Sequence, residues 1–180
     1  MAEKPYTVQY AQAAVSVEEY LAHCVDVPKF LACCKECANY GARWGCPPFD
    51  FEVRELWEKY KTLRLYVRFL IPGGCATEDL MAALWVEKES FLTELLALER
   101  AHPGSLFLSC GGCTICEACT RGDGQPCRHP ELVRPSLEAL GGDVGKTAER
   151  YFGKPLLWIK DGAAPDYLML VGGLLLREEL

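Results

Sequence analysis

What the chain has little of narrows it first. Basic residues are outnumbered, 19 lysines and arginines against 25 aspartates and glutamates, for a formal net charge of −6. Neutralising nucleic-acid phosphates needs a basic surface, so broad nucleic-acid binding is not expected, although a local basic patch stays open. No apolar stretch approaches the roughly 20 residues that a membrane span needs. The apolar run from Tyr167 to Leu176 is interrupted by Gly172 and Gly173 and reads as a buried strand. The opening Met-Ala-Glu-Lys-Pro lacks the apolar core of a secretory signal, which makes the cytoplasm the expected location. There is no repeat, low-complexity tract or linker, and 180 residues fit a single domain, 1–180, able to bury a core without staples. A phosphate-binding loop is also missing, by one residue. Gly141-Gly142-Asp143-Val144-Gly145-Lys146-Thr147 imitates Gly-x4-Gly-Lys-Thr, but the position of the first glycine is Leu140 and no strong strand leads into it. Histidine is scarce: His23 and His102 lie at element ends, and His129 lies beside the candidate ligand Cys127.

Cysteine is abundant instead. There are 11: Cys24, Cys33, Cys34, Cys37, Cys46, Cys75, Cys110, Cys113, Cys116, Cys119 and Cys127. A reducing cytoplasm disfavours lasting disulfides, and an odd number fits poorly with a complete set of bridges, so clustering of this kind points to metal or redox chemistry.

The remaining pattern predicts an α/β or α+β domain with a small mixed sheet, packed helices and two cysteine-rich loops at 33–48 and 110–130. Ser16-x-x-Glu19 is a capping box opening a short helix with Val17, Tyr20 and Leu21 inward, which Pro28 is expected to end. Phe51, Leu56, Trp57 and Tyr60 suggest a second short helix. The run from Leu63 to Ile71 reads as a strand closed by Pro72-Gly73-Gly74. The strongest helical period covers residues 77–101, with Glu78 and Asp79 in the first turn and His102-Pro103-Gly104 as the stop. Residues 105–109 read as a strand. The resulting strand–helix–strand unit predicts a parallel pair with a right-handed crossover. Helical turns are expected over 135–140 and 143–152, broken at Gly141-Gly142, and two last strands over 156–160 and 167–176 around an Asp161-Gly162 turn.

The second loop carries the clearest chemistry. Cys110, Cys113, Cys116 and Cys119 recur every third residue, and Cys127 follows within Pro-Cys-Arg-His-Pro. Cys-x2-Cys-x2-Cys is the run by which bacterial-type ferredoxins deliver three thiolates to one cluster, a fourth arriving from elsewhere. A helix would not carry Gly111 and Gly112 in its interior without cost. Cys113, Cys116, Cys119 and Cys127 can complete a four-thiolate set, leaving Cys110 as an alternate ligand or a ligand to another centre. Zinc also accepts four thiolates, although it usually pairs two separate Cys-x2-Cys knuckles. In the first loop, Cys34-x2-Cys37 is a knuckle and Cys46-Pro47-Pro48 follows. Its fourth ligand is open among Cys33, Cys24 and Cys110, or absent, leaving one iron free for substrate. Cys24 and Cys75 read as small buried residues. Arg121, Arg128 and Arg134 can stabilise an anionic cluster, receive an acidic partner, or simply form a solvated face.

Together, Cys34-x2-Cys37-Ala-Asn-Tyr-Gly, Cys46-Pro-Pro-Phe, the Cys113, Cys116, Cys119 series and Pro126-Cys127-Arg128-His129-Pro130 resemble the predicted metal-binding proteins of domain of unknown function 2284. Arg134-Pro135-Ser136-Leu137-Glu138-Ala139 and Gly142-Asp143-Val144 extend the resemblance over most of the chain. It implies a cytoplasmic iron–sulfur protein of a kind frequent in anaerobes, with Cys34, Cys37, Cys46, Cys113, Cys116, Cys119 and Cys127 as ligands, and no defined activity.

Three functions compete at this point. The first is electron transfer or a redox accessory role, with one or two 4Fe–4S clusters and a redox protein partner. The second is an enzyme with an open-coordination cluster at Cys34, Cys37 and Cys46, which a neighbouring pocket with Asp50 as acid or Arg43 as anion clamp would favour. The third is a structural zinc or metal-delivery protein.

Overall fold

The computed structural model describes residues 5–179. Of the N-terminal run read for a signal, only Pro5 lies within them. Among the described residues the strands β1 (Tyr6–Ser16), β2 (Thr62–Pro72), β3 (Leu106–Leu108) and β4 (Leu168–Leu176) form one sheet in the order β1-β2-β4-β3. The helices are α1 (Val17–Cys24), α2 (Val27–Lys35), α3 (Val53–Glu58), α4 (Thr77–Ala101) and α5 (Val144–Phe152). The class is α+β.

β2 and β4 are apolar at nearly every position because both of their faces are covered, and side chains alternate between faces along a strand. Leu63, Leu65, Val67 and Phe69 of β2 join Val171 and Leu175 of β4 in a cluster with Tyr20 of α1, Trp57 of α3 and Val144 of α5. Leu70, Leu168, Leu170 and Leu174 face the other way, onto Leu80, Ala83, Phe91 and Leu95 of α4. Gly172 and Gly173 sit where this packing is tightest. A Cβ on Gly172 would stand 2.7 Å from Leu95 Cδ1 and 3.0 Å from the Leu108 carbonyl oxygen. The break in the apolar run is therefore where α4 and β3 close on β4. Arg68, also on the α4 face and 1% exposed, donates from Nη1 to the Glu87 carbonyl at 3.0 Å and to Glu87 Oε2 at 3.1 Å.

Ser16 caps α1, its hydroxyl accepting from Glu19 N at 3.1 Å, with Val17 and Tyr20 buried as expected. α4 spans the residues its period marked out. Four expectations need correction. The sheet is antiparallel at every ladder rather than mixed, because β4 takes the seat between β2 and β3; those two still run parallel to each other, one strand apart. Pro28 does not end α1. It lies in the first turn of α2, where a missing N–H costs nothing, and Asp26 caps that helix by accepting from Lys29 N at 3.0 Å. Residues 156–160 are no strand: only Lys160 bridges to Ala163, across Asp161 (φ 52°) and Gly162 (φ 76°), the two positive φ values of the expected tight turn. β1 had not been foreseen; it pairs with β2 along its whole length as an edge strand.

Candidate metal centre

The first cysteine loop begins inside a helix. Cys33 and Cys34 occupy the last turn of α2, and Cys37 follows with its N–H donating to the Cys34 carbonyl at 3.0 Å. Gly41, at φ 65°, turns the chain so that its N–H reaches the Pro47 carbonyl at 2.8 Å, and Cys46 N–H closes onto Arg43 O at 3.0 Å. α2 itself rests on the segment imitating a phosphate-binding loop. A Cβ on Gly141 would stand 2.8 Å from Val27 Cα, so only glycine lets the two backbones meet there. The rest of that segment is equally structural. Asp143 caps α5 by accepting from Lys146 N at 2.9 Å, and the Thr147 hydroxyl is buried 2.8 Å from Tyr20 Oη.

The second loop leaves β3 through Ser109, Cys110 and Gly111, the last at φ 64°. Between there and Pro130 its regular structure is a single 3₁₀ turn, Thr120–Asp123, ended by Gly124 at φ 66°. His129 N–H points at Cys127 Sγ at 3.4 Å, the kind of backbone donor an anionic thiolate accepts. The His129 ring lies 3.8 Å from Glu131 Oε1.

Two arginines tie the loops together, each reaching out of its own loop into the other. Arg43, oriented by Asn39 Oδ1 at 2.9 Å, donates to the Cys113 carbonyl at 3.0 Å and the Cys116 carbonyl at 3.4 Å. Arg121 donates to Arg43 O at 2.9 Å and also to the carbonyls of Cys46 and Pro48. The Trp44 indole N–H meets Gln125 O at 3.2 Å, and the Arg121 guanidinium covers the Trp44 ring at 5.1 Å. Gly45 allows the approach: a Cβ there would stand 3.0 Å from Arg134 O and 3.3 Å from Cys113 Cβ.

The thiols sense one another in two groups. Burial pushes up the Cys34 thiol first, and Cys37 and Cys33 push it further. Cys46 is raised by burial and by Cys37, Cys34 and Cys113, with a Cys113 backbone hydrogen bond opposing. Cys113 is raised by burial and by Cys119 and Cys127, with Ile115 N–H opposing. Cys34, Cys37 and Cys46 thus form one neighbourhood, Cys113, Cys119 and Cys127 another, and Cys46 with Cys113 links them. The Cys116 backbone carbonyl is held by Arg43 beside them. Crowded, part-buried thiols repel one another once ionised, and a bound cation relieves that repulsion. Among the described residues no three His, Cys, Asp or Glu side chains are drawn tightly enough to close on a single ion. All-thiolate donors suit the soft metals, zinc and the iron–sulfur clusters above all, so the residues fit such a group.

The other cysteines lie elsewhere. Cys110 is 7% exposed, its thiol pushed up to about 12 by burial, and its charged neighbours are Lys88, Glu138 and Arg68 rather than the loop thiols. Cys24 is buried in the cluster beneath α1, near Thr147. Cys75 is half-buried against the α4 face, and Cys33 is exposed at the end of α2. The arginines divide as well. Arg121 is a clamp, whereas Arg134 pairs with Glu99, Nε to Oε2 at 2.9 Å, bracing the end of α4 over Phe107. Sequence reading gave no role to Asn39, Trp44, Lys88 or Glu138; Asn39 and Glu138 stood only within the motifs of the family resemblance, and Trp44 lay between the cysteines of the first loop.

A cleft of about 540 Å³ does lie beside the first loop, lined by Tyr40, Pro47, Pro48 and Phe49 together with Val27 and Leu31 of α2. Neither Asp50 nor Arg43 lines it. No helix among the described residues is long and apolar enough to cross a membrane.

Comparison with protein families matches residues 23–176 to the model described as predicted metal-binding protein, DUF2284. No curated protein and no solved structure matches the chain.

Proposed function

The chain belongs to this family of predicted metal-binding proteins, and from that premise we propose that the metal is iron, held as one or two 4Fe–4S clusters for electron transfer with a redox protein partner in the cytoplasm. Cys113, Cys116, Cys119 and Cys127 supply four thiolates at the second loop; Cys34, Cys37 and Cys46 supply three at the first, with the exposed Cys33 next to Cys34 as a further thiol. Cys110, proposed from sequence as a shared ligand, is the weakest candidate because it is buried beside Lys88 and Glu138 instead of among the loop thiols. The observation that carries the reading is the clamp. Arg43 and Arg121 lock two thiol groups side by side, so that carriers in both loops would lie close enough to exchange electrons. When bound, such a cluster supplies reversible one-electron chemistry at a potential set by burial and by hydrogen bonds to sulfur. The protein's own contribution is a neighbourhood of backbone donors, including His129 N–H, and two guanidinium charges beside an anionic centre.

The test is anaerobic purification followed by an absorption spectrum and iron, sulfide and zinc analysis. A broad band near roughly 400 nm with about eight irons per chain is the expected result for two clusters. About four irons would assign iron to one loop only. A colourless protein with stoichiometric zinc would replace the proposal with the structural or metal-delivery reading.

A second reading has an observation of its own. Tyr40, Pro47 and Pro48 of the first loop line a 540 Å³ cleft, which suits an enzyme whose cluster keeps one iron open to substrate, although no cysteine lines it. The absence of Asp50 and Arg43 from the cleft lining removes the acid and anion clamp considered for it. Exogenous cyanide or a thiol that shifts the spectrum of wild-type protein would favour this reading; an unchanged spectrum would favour electron transfer.

A further inference from the structure

β3 covers only Gly173–Leu175 of β4, so the stretch of that edge at 168–172 has no strand partner. The gap is a cleft of about 920 Å³, walled by the first half of α4 on one side and by residues 156–162 on the other. This is the use the fold makes of the apolar segment at 156–160, which pairs with no strand. Met81, Leu84, Leu168 and Leu170 line its floor, and the exposed indoles of Trp85 and Trp158 stand at its rim.

One end of the cleft is polar. Lys88 is 7% exposed, and no carboxylate lies within ion-pair distance of it among the described residues. Its Nζ donates to Gly112 O at 2.8 Å and lies 5.3 Å from the Trp85 ring. Glu138 lines the same end, and its Oε2 is buried with no hydrogen-bond partner. Lys88 and Glu138 feel each other's charge without forming an ion pair, and a buried ammonium with no carboxylate in contact and a buried carboxyl oxygen without a partner each cost stability unless something pairs with them. Apolar walls with a few convergent polar groups, in a volume of this order, are the usual form of a small-molecule site.

We propose that this cleft binds a small organic carboxylate, its apolar or aromatic body between the α4 floor and the two indoles and its carboxylate on Lys88 and Glu138. The ammonium supplies the counter-charge. Glu138, whose carboxyl burial pushes above the usual range, supplies a hydrogen-bond donor in place of a repelling charge. A neutral apolar ligand would leave both groups unpaired, and a cation would meet Lys88. Cys110 lines the same cleft and the Glu138 charge reaches the Cys34 thiol, so the site adjoins the cysteine loops, but the proposal does not rest on which metal they hold. The site touches them mechanically as well, since the carbonyl that Lys88 holds belongs to Gly112, next to Cys113.

Isothermal titration of the protein as purified with 2-naphthoate and with its neutral isostere 2-naphthamide tests this. The naphthoate should bind at least about tenfold more tightly, the preference expected of one desolvated charge pair. Lys88→Gln should abolish that preference and Lys88→Arg should keep most of it. Should Lys88→Gln fail to fold, the wild-type comparison with Lys88→Arg still decides. Equal affinity for the two compounds, no binding of either, or a Lys88→Gln variant with the preference intact would overturn the proposal. So would sedimentation showing a dimer that withdraws Trp85 and Trp158 from a quencher, because the occupant would then be a second copy of the chain.

Discussion

In the sheet, Leu63, Leu65, Leu70 and Leu174 are wholly out of solvent and each is held by neighbours on two strands and a covering helix. In the cysteine loops the same task falls to two arginines, one indole and a glycine that lets the backbones touch. The sheet is over-determined by its own apolar surface, whereas the loops are held by a handful of polar contacts that water can replace. Crowded thiols make the loops less favourable still whenever those thiols ionise. Small metal sites built in this way complete their folding when the ligand binds, and on the proposed assignment these loops would do the same. The sheet needs nothing of the kind.

The largest expected effect tests the independence of the sheet. Trp57 is fully buried, stacks near Tyr20 with centroids 5.5 Å apart, and donates to Leu140 O at 3.0 Å. Trp57→Ala should cost about 3–5 kcal/mol, equally with and without metal, in urea unfolding. A cost that depended on metal would mean that the two regions fold as one. Cys116→Ala probes the opposite side. Iron per chain should fall by at least one cluster's worth while the stability of the metal-free protein in urea changes by less than about 0.5 kcal/mol; Cys75→Ala should leave iron unchanged. Equal iron loss in both variants would sink the ligand assignment. Arg121→Gln removes a charge-assisted donor to loop carbonyls, worth about 1–3 kcal/mol locally. Proteolytic cleavage within 110–130 should accelerate about tenfold or more with the unfolding midpoint unmoved. Were cleavage unchanged, something other than the clamp would be holding the loop.

The smallest effect concerns Cys110, which belongs to the core despite its place in the series. Burial raises its thiol, so the neutral form favours the fold. That contribution is whole below the ordinary thiol range and is lost as pH rises through it toward about 12. The stability advantage of wild type over Cys110→Ala in metal-free protein should therefore shrink between about pH 8 and about pH 10.5. A constant difference would move Cys110 back among the loop thiols.

What could be read from the sequence follows the same divide. α4, β2, β4 and the Ser16 cap were legible because strong periodicity and capping chemistry express local physics. β1 was not, because Ala11, Ala13 and Ala14 among glutamines give an edge strand almost no hydrophobic contrast. Pro28 was misread because proline serves equally as a stop and as a first-turn residue, and only Asp26 beside it separates the two. The parallel pair failed for a non-local reason: nothing between residues 62 and 108 can announce that a strand from 168–176 will come between them. The cysteines identified the chemistry, and the family match agrees that it is metal binding. The clamp could not be seen: Arg43 and Arg121 were each named for other roles, but nothing in the sequence says that each reaches across to the other's loop. The cleft was hidden because an apolar segment that pairs with nothing looks, in sequence, like a strand.

The crossed arginines also bear on how the protein fills. Each loop supplies the cation that fixes the backbone of the other, so neither can settle while its neighbour wanders. On the proposed ligand assignment, an ion captured at Cys113 and its companions would steady Arg121, and with it the carbonyls of Cys46 and Pro48 around the first thiol group. The second capture then starts from a chain whose disorder has already been removed, and by linkage the benefit runs equally in reverse. If both loops hold metal as proposed, loading would be drawn toward the doubly filled molecule and away from the half-filled one.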